Sequence, residues 1–210
     1  MSSPARAERA ELCDLFLELG PDQPTLAGEW TTRDLAAHLV IRERRPDAAV
    51  GILSRFFEPH SEQVRLAERE RPWPEIVERV RSGPPRWNPM HLEPIDTAAN
   101  SVEFFVHHED VRRAQAGWTV RPLMLDLEDA LASTIRRGGG MITRSAKVGL
   151  VVAADGRDPM RLHKGSPVVT ISGPIGECVL YVYGRKDAAR VTLDGPDDAI
   201  ATVAAAPFGI

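Results

Sequence analysis

The sequence predicts an α+β protein in which a helical N-terminal domain, residues 1–145, precedes a small α+β domain, residues 146–210. Up to about residue 140 the apolar residues recur at spacings of three and four, which is the period of an amphipathic helix. After about residue 147 they run continuously or alternate, as they do in strands. The pair Asp155-Gly156, a common hairpin signal, lies in this second part. Because the two periodicities occupy separate parts of the chain, we expect two domains.

The first two helices have clear start or stop signals. One is expected from about Pro4 to Leu19, where the chain turns at Gly20. For the next, Thr31 is a good N-cap, because Asp34 at the third helical position forms a variant of the capping box. Three further helices are expected at residues 75–81, 95–116 and 126–137, the last of them ended by the glycines at 138–140.

The C-terminal part is expected to alternate strands and helices. Two strands, at residues 148–154 and 168–172, would be joined through the turn at Asp155-Gly156. A helix at 174–183, a short strand at 191–193 and a last helix at 196–206 would follow. This pattern predicts a small α+β layer.

Composition and charge exclude several classes of function. A net charge of -4 and a pI near 5.9 argue against a general nucleic-acid binder. The short basic runs at residues 42–45 and 112–113 are broken by acids, so we interpret them as solvated helix faces. No apolar run reaches the ~18 residues of a spanning helix, and the N-terminus lacks the layout of a signal peptide. We therefore expect a soluble cytoplasmic protein with no membrane partner, in which Cys13 and Cys178 are core residues.

Glu103 and His107 are the most informative pair in the chain. They lie four residues apart in a run that reads as helix, so both side chains share one face. A carboxylate and an imidazole on one rigid face can bind a divalent metal if another helix supplies a third ligand. Taken alone, such a pair is more often solvated or locally paired.

His38 is the candidate third ligand, since it lies on or beside the apolar face of the capped second helix. A histidine in that position is otherwise a core residue. Asp110, three residues after His107, could hold the ring N–H of a ligand, or could instead pair with a neighbouring arginine at 112 or 113. The remaining histidines are expected on the surface or in loops: His60, His91, His108 and His163.

Familiar catalytic motifs are absent from the sequence. The stretch HEDVR at residues 108–112 has an arginine where the zinc motif HExxH needs its second histidine. The three glycines at 138–140 lack the Gly-Lys-Ser/Thr of a phosphate-binding loop, and no GxSxG elbow occurs. These observations leave the histidine and glutamate set as the main candidate for chemistry.

Two stretches together resemble a known metal-binding family. WTTRDLAAHL at residues 30–39, followed by EFFVHHEDVRRA at 103–114, is similar to the metal-binding pattern of the DinB-like, mycothiol-dependent maleylpyruvate isomerase family. In that family a tryptophan-led helix contributes one histidine, and an E-x-x-x-H helix contributes a glutamate and a second histidine. The resemblance implies a four-helix DinB-like bundle with His38, Glu103 and His107 as the metal ligands. SGPIGECVLYVYGR at 172–185 resembles part of the family's small C-terminal domain, so the likeness covers nearly the whole chain.

The resemblance also implies a cofactor and a class of reaction. The ion would be zinc, or nickel or another first-row metal, and the cosubstrate would be mycothiol or a related small thiol acting on a small electrophile in a transferase or isomerase reaction. Arg185 resembles the family's Gly-Arg position and would meet an anionic substrate group, although a surface arginine is an equal alternative. The residues at 41–48 and 107–114 resemble an actinobacterial branch that is described as metal-binding and has no assigned reaction. A non-catalytic, metal-stabilised binding or regulatory module is the competing expectation, and a structural bundle without metal is the third. Lysine occurs only at 147, 164 and 186 among 26 basic residues, which fits such a source. The protein is expected to be a monomer or homodimer.

Overall fold

The computed structural model describes residues 3–48, 58–88 and 91–209, and within them the chain is predominantly helical with one small sheet. The helices are α1 Pro4–Leu19, α2 Thr32–Arg44, α3 Glu58–Arg69, α4 Trp73–Arg81, α5 Glu93–Arg113, α6 Leu125–Ile142, α7 Ile175–Val182 and α8 Asp197–Ala205. The strands are β1 Gly149–Ala154, β2 Met160–His163, β3 Val168–Gly173 and β4 Thr192–Asp194. The α+β class that the sequence predicts is confirmed.

The chain divides into two compact units, Met1–Val120 and Arg121–Ile210. In the first unit α1 packs on α5 and α4, while α2 packs on α3 and α4. The core between these helices is apolar, and its largest fully buried members include Leu12, Phe16, Leu35, Leu39, Phe104 and Ile76. Burying these side chains supplies the main driving force for packing the helices together.

The first helix begins and ends where it was expected, and the predicted start signal of the second helix is present. Ser3 caps α1 and accepts a hydrogen bond from the backbone N–H of Arg6. At α2 the hydroxyl of Thr31 accepts from the backbone N–H of Asp34, and the Asp34 carboxylate accepts from the backbone N–H of Thr31 at 3.1 Å. This reciprocal capping box fixes where α2 begins, and so fixes the rotation of every side chain that follows on it.

The second unit contains a four-stranded sheet with the order β2-β1-β3-β4. The strand β1 pairs antiparallel with β2 and parallel with β3, and β4 pairs antiparallel with β3. The predicted turn at Asp155-Gly156 does follow β1, but it leads to β2, a strand at 160–163 that the sequence interpretation missed. The run at 168–173 that was expected there is instead the parallel neighbour of β1.

Helix α6 differs from its prediction. It continues through the three glycines to Ile142, so the expected stop at 138–140 is wrong. A Cβ on Gly140 would lie 2.6 Å from the carbonyl oxygen of Leu162, so the glycine allows β2 to approach the helix closely. Contacts of α6 with β2 and α7 place this helix in the second compact unit, whereas the sequence assigned it to the first domain.

Helix α3 is an addition to the sequence prediction, which left residues 58–69 unassigned.

Both cysteines are free and buried, and burial raises the pKa of each thiol to about 12. They are core residues, as expected. Among the described helices, none is both long and apolar enough to cross a membrane.

Candidate metal centre

Helices α2 and α5 bring together the three predicted ligands, His38, Glu103 and His107. The Nε2 atom of His107 lies 3.3 Å from Oε1 of Glu103, and Nε2 of His38 lies 3.5 Å from the same oxygen. One donor atom from each of the three side chains lies within 4.8 Å of the other two. Both histidines are more than nine-tenths buried, whereas the Glu103 side chain keeps 23% of its surface exposed.

These separations match those of a coordination shell. Two ligand atoms each about 2.1 Å from a zinc ion lie about 3.4 Å apart when the angle between the bonds is tetrahedral. The two separations to Glu103 Oε1, 3.3 and 3.5 Å, bracket that value. Two imidazole nitrogens and one carboxylate oxygen also form a donor set typical of a zinc site that leaves a position open for water or substrate. The residues present therefore fit a divalent ion.

Asp110 orients the His107 ring. Its Oδ2 atom accepts a hydrogen bond of 3.0 Å from Nδ1–H of His107, and this carboxylate is fully buried. Of the two contacts expected for Asp110, the one with the ring is thus present. Arg112 and Arg113 both donate to Glu109. In the neutral ring this hydrogen bond keeps the proton on Nδ1, so Nε2, which faces Glu103, is the nitrogen whose lone pair a metal would use.

The His38 ring is positioned from the other side. The Trp30 ring lies 5.1 Å from it, centroid to centroid, and the His107 ring lies 5.4 Å from it with the planes at 74°. The guanidinium of Arg65 lies over the Trp30 ring, 5.2 Å from the ring centroid. His38 therefore lies between two aromatic rings, which limits the orientations open to its imidazole.

The cluster holds its three groups in distinct charge states. Burial lowers the pKa of His38, which favours the neutral imidazole. Burial alone would raise the pKa of Glu103, but hydrogen bonds from His107 and His38 together with the charge of Arg42 hold it well below its usual range. For His107, burial lowers the pKa, but hydrogen bonds to Asp110 and Glu103 outweigh that effect and raise it to about 9. In the metal-free protein, His107 and Glu103 thus form a buried ion pair at neutral pH.

Arg42 is a neighbour of this site that the sequence interpretation missed. It lies four residues after His38 on α2, and its Nε atom is 3.2 Å from Oε1 of Glu103. Its Nη1 atom also donates to Oδ1 of Asn100, one turn before Glu103 on α5. The interpretation of residues 42–45 as a solvated face is therefore wrong for Arg42, and also for the buried Glu43. The position of Arg42 four residues after His38, on the same face of α2, was the sequence signal that could have placed it at this site.

The other basic run is also corrected, because Arg113 is buried against Glu109. His108 was expected on the surface, but it too is buried, and its Nδ1 atom lies 3.0 Å from Oε2 of Glu8 on α1. The reason is tertiary: α1 covers the side of α5 that His108 occupies. His60 and His91 are exposed, as predicted.

Arg185, predicted to meet an anionic substrate group, lies in the second compact unit just after α7. Its Nη1 atom donates to the carbonyl oxygen of Tyr183 at 2.7 Å. This contact shapes the turn that follows the helix. A role for Arg185 in binding substrate stays a prediction.

The fold has counterparts among solved structures. A mutant of the mycothiol-dependent maleylpyruvate isomerase is similar over 91% of this chain and 90% of its own, with a TM-score of 0.62 and 14% sequence identity. A second structure of the mycothiol-dependent maleylpyruvate isomerase is similar over 90% of this chain and 88% of its own, with a TM-score of 0.54 and 17% identity. No protein-family model matches the chain, and no curated protein matches it. At these identities the likeness establishes the fold.

Proposed function

We propose that the protein binds one divalent metal ion through His38, Glu103 and His107. The observation that carries this proposal is the convergence of two imidazole nitrogens on one carboxylate oxygen at separations of 3.3 and 3.5 Å. The hydrogen bond from His107 to Asp110 supports it, because a carboxylate behind a histidine is the usual partner of a metal-binding ring. Zinc is the proposed ion, since it accepts mixed nitrogen and oxygen ligands in tetrahedral sites. Nickel and other first-row ions compete for such a set, because affinity alone does not select among them.

The proposed reaction is a thiol-dependent transfer or isomerisation of a small electrophile, with mycothiol as the thiol. The likeness of fold to a mycothiol-dependent isomerase supports it. We also propose that the helical part is a DinB-like four-helix bundle. A bound divalent ion supplies Lewis acidity, which lowers the pKa of a coordinated thiol so that thiolate is present at neutral pH. The thiolate sulfur would form a C–S bond to an electron-poor alkene carbon while the C=C π electrons shift to a conjugated carbonyl oxygen. Rotation about the resulting single bond, return of those electrons and cleavage of the C–S bond would complete an isomerisation, whereas protonation of the adduct on carbon by water would complete a transfer.

The residues around the ligands have complementary roles in this proposal. Asp110 holds the His107 ring in the orientation that directs Nε2 inward. Arg42 places a positive charge beside Glu103, where it can hold an anionic group of a bound thiol or substrate. Trp30 and the surrounding apolar core limit access of water to the His38 side of the site. Arg185 is the proposed contact for a carboxylate of the electrophile.

Metal content of the purified protein tests the ligand assignment. Wild type and His107→Ala would be dialysed against zinc at one fixed, saturating free concentration and analysed by inductively coupled plasma mass spectrometry, with His60→Ala as the matched control. His60 is an exposed histidine on α3, so its loss removes an imidazole without touching the cluster. We expect the control to keep the zinc content of wild type and His107→Ala to hold one ion per chain fewer. Unchanged metal content in His107→Ala would contradict the assignment.

Addition of mycothiol to the cobalt-substituted protein separates catalysis from a non-catalytic, metal-stabilised module. A thiol that reaches the ion adds a sulfur-to-cobalt charge-transfer band in the near ultraviolet, and we expect this band in wild type. The same preparation would then be assayed for conjugation of mycothiol to small electrophiles. A cobalt spectrum unchanged by mycothiol would remove the enzyme proposal and favour the binding module.

A further inference from the structure

A second group of side chains that could bind a metal lies on another face of α5. His108 follows His107 by one position, so it projects about 100° further round the helix. There it meets α1, which presents Glu8 and Glu11 three residues apart on one face. One donor atom from each of these three side chains lies within 4.8 Å of the other two. None of the three belongs to the first cluster.

The buried pair lies close to the separation that a coordination shell requires. Nδ1 of His108 and Oε2 of Glu8 are 3.0 Å apart. Two ligand atoms about 2.1 Å from an ion are separated by about 3.0 Å when the angle between the bonds is 90°, and by about 3.4 Å when it is tetrahedral. A tetrahedral ion would therefore take the place of the proton once these two atoms move apart by about 0.4 Å, which small rotations of the side chains supply without movement of either helix.

Two of the three side chains are buried and one is exposed, as expected for a site with fixed ligands that an ion can still reach. His108 and Glu8 are buried, with 5% and 3% of their surface exposed, so their positions are fixed by packing. Glu11 is exposed, so it is the member of the set that an ion can reach from solvent. The solvent on that side also supplies waters to complete the shell.

We propose that Glu8, Glu11 and His108 form a second divalent-cation site that joins α1 to α5. An imidazole nitrogen in the donor set favours a first-row transition ion such as zinc or cobalt over magnesium or calcium, which prefer oxygen ligands alone. Such an ion links two helices of the first compact unit through side chains at 8, 11 and 108, so its binding stabilises the folded chain. The site is independent of the proposed thiol chemistry.

Metal stoichiometry tests the site in the full chain. Zinc binding would be measured by equilibrium dialysis in wild type, His107→Ala, Glu11→Gln and the double variant, with Glu18→Gln as the control. Glu18 is an exposed glutamate on the same helix but outside the cluster, so it matches Glu11→Gln in charge and exposure. Circular dichroism would confirm that each variant is folded, and exposed Glu11 is chosen because its replacement leaves the buried pair intact.

We expect two ions per chain in wild type, one in His107→Ala and none in the double variant at the same free zinc concentration. Adding Glu11→Gln to His107→Ala should lower the zinc affinity of the remaining site at least about tenfold. Loss of a residue that only supports a ligand already lowers metal affinity by about that factor. Zinc should also raise the unfolding temperature of His107→Ala but not that of the double variant. One ion in wild type and none in His107→Ala would overturn the second site. It would also be overturned if a second ion bound with the same affinity in the presence and absence of Glu11→Gln. Loss of an ion in Glu11→Gln but not in His107→Ala would support this site and contradict the proposed function.

Discussion

The pH dependence of metal affinity in wild type and Asp110→Asn gives a detailed test of how His107 is held. In the metal-free protein the His107 pKa is raised to about 9, and the hydrogen bond to Asp110 is the largest of the effects that raise it. Metal binding needs the neutral ring, so a proton competes with the ion below that pH. Asparagine keeps the shape of Asp110 and removes its charge.

The structure fixes the sign and size of the wild-type response. The pKa of His38 is lowered from 6.5 and that of Glu103 lies well below 4.5, so within the cluster only His107 exchanges its proton between pH 6.5 and 9. Release of one proton makes the apparent zinc affinity rise about tenfold per pH unit over this window, with a plateau above about pH 9.

Asp110→Asn has two opposing effects on affinity. It lowers the His107 pKa towards its ordinary value, so the plateau begins at lower pH. It also removes the carboxylate behind the ligand, which costs about 10–100-fold in affinity, or about 1.4–2.7 kcal/mol. We therefore expect wild type to bind more tightly above pH 9, and the two curves to converge as the pH falls towards 6.5.

Competition with a zinc chelator of known pH dependence would measure both curves, with exposed Asp22→Asn as the matched control. The same raised pKa predicts that His107 stabilises the metal-free fold below pH 6.5, and that this contribution is lost as the pH rises through about 9. Parallel affinity profiles for wild type and Asp110→Asn would refute the reasoning, because the plateau would then not depend on the Asp110 charge.

Two further predictions concern the core and α6. Because burial raises the pKa of Cys13 and Cys178 to about 12, both thiols should react with iodoacetamide at pH 8 far more slowly in the native protein than in denaturant; equal rates by mass spectrometry would contradict their burial. Gly140→Ala should destabilise the fold by roughly 1–3 kcal/mol, since its Cβ would meet Leu162 oxygen at 2.6 Å. Gly138→Ala, where a Cβ has open space, should stabilise it by up to about 1 kcal/mol. Equal effects of the two substitutions in urea unfolding would show that the close contact is absent.

The sequence predicted correctly those structural features that depend on residues close together in the chain. The capping box at Thr31 and Asp34 involves residues three apart, and it forms as the sequence indicates. The shared face of Glu103 and His107 follows from helix geometry alone. Bringing His38 to that face requires α2 to pack beside α5, which no local pattern specifies. His38 was therefore only a candidate until the resemblance to a family placed it with Glu103 and His107.

The errors have the same origin. His108 and Arg42 looked like solvated groups because their partners, Glu8 and Asn100, lie on other helices. The glycines at 138–140 look like a helix stop unless Leu162 is known to pack against them. Strand β2 has only four residues at the sheet edge, too few to show a clear alternation.

Anomalous X-ray scattering from crystals of the zinc-loaded protein, collected on both sides of the zinc absorption edge, tests the central claim most directly. We predict an anomalous peak bounded by Nε2 of His38, Nε2 of His107 and a carboxylate oxygen of Glu103, at about 2.0–2.2 Å from each, that vanishes below the edge. Density maps without such a peak at these three side chains, from protein shown to contain zinc, would contradict the account.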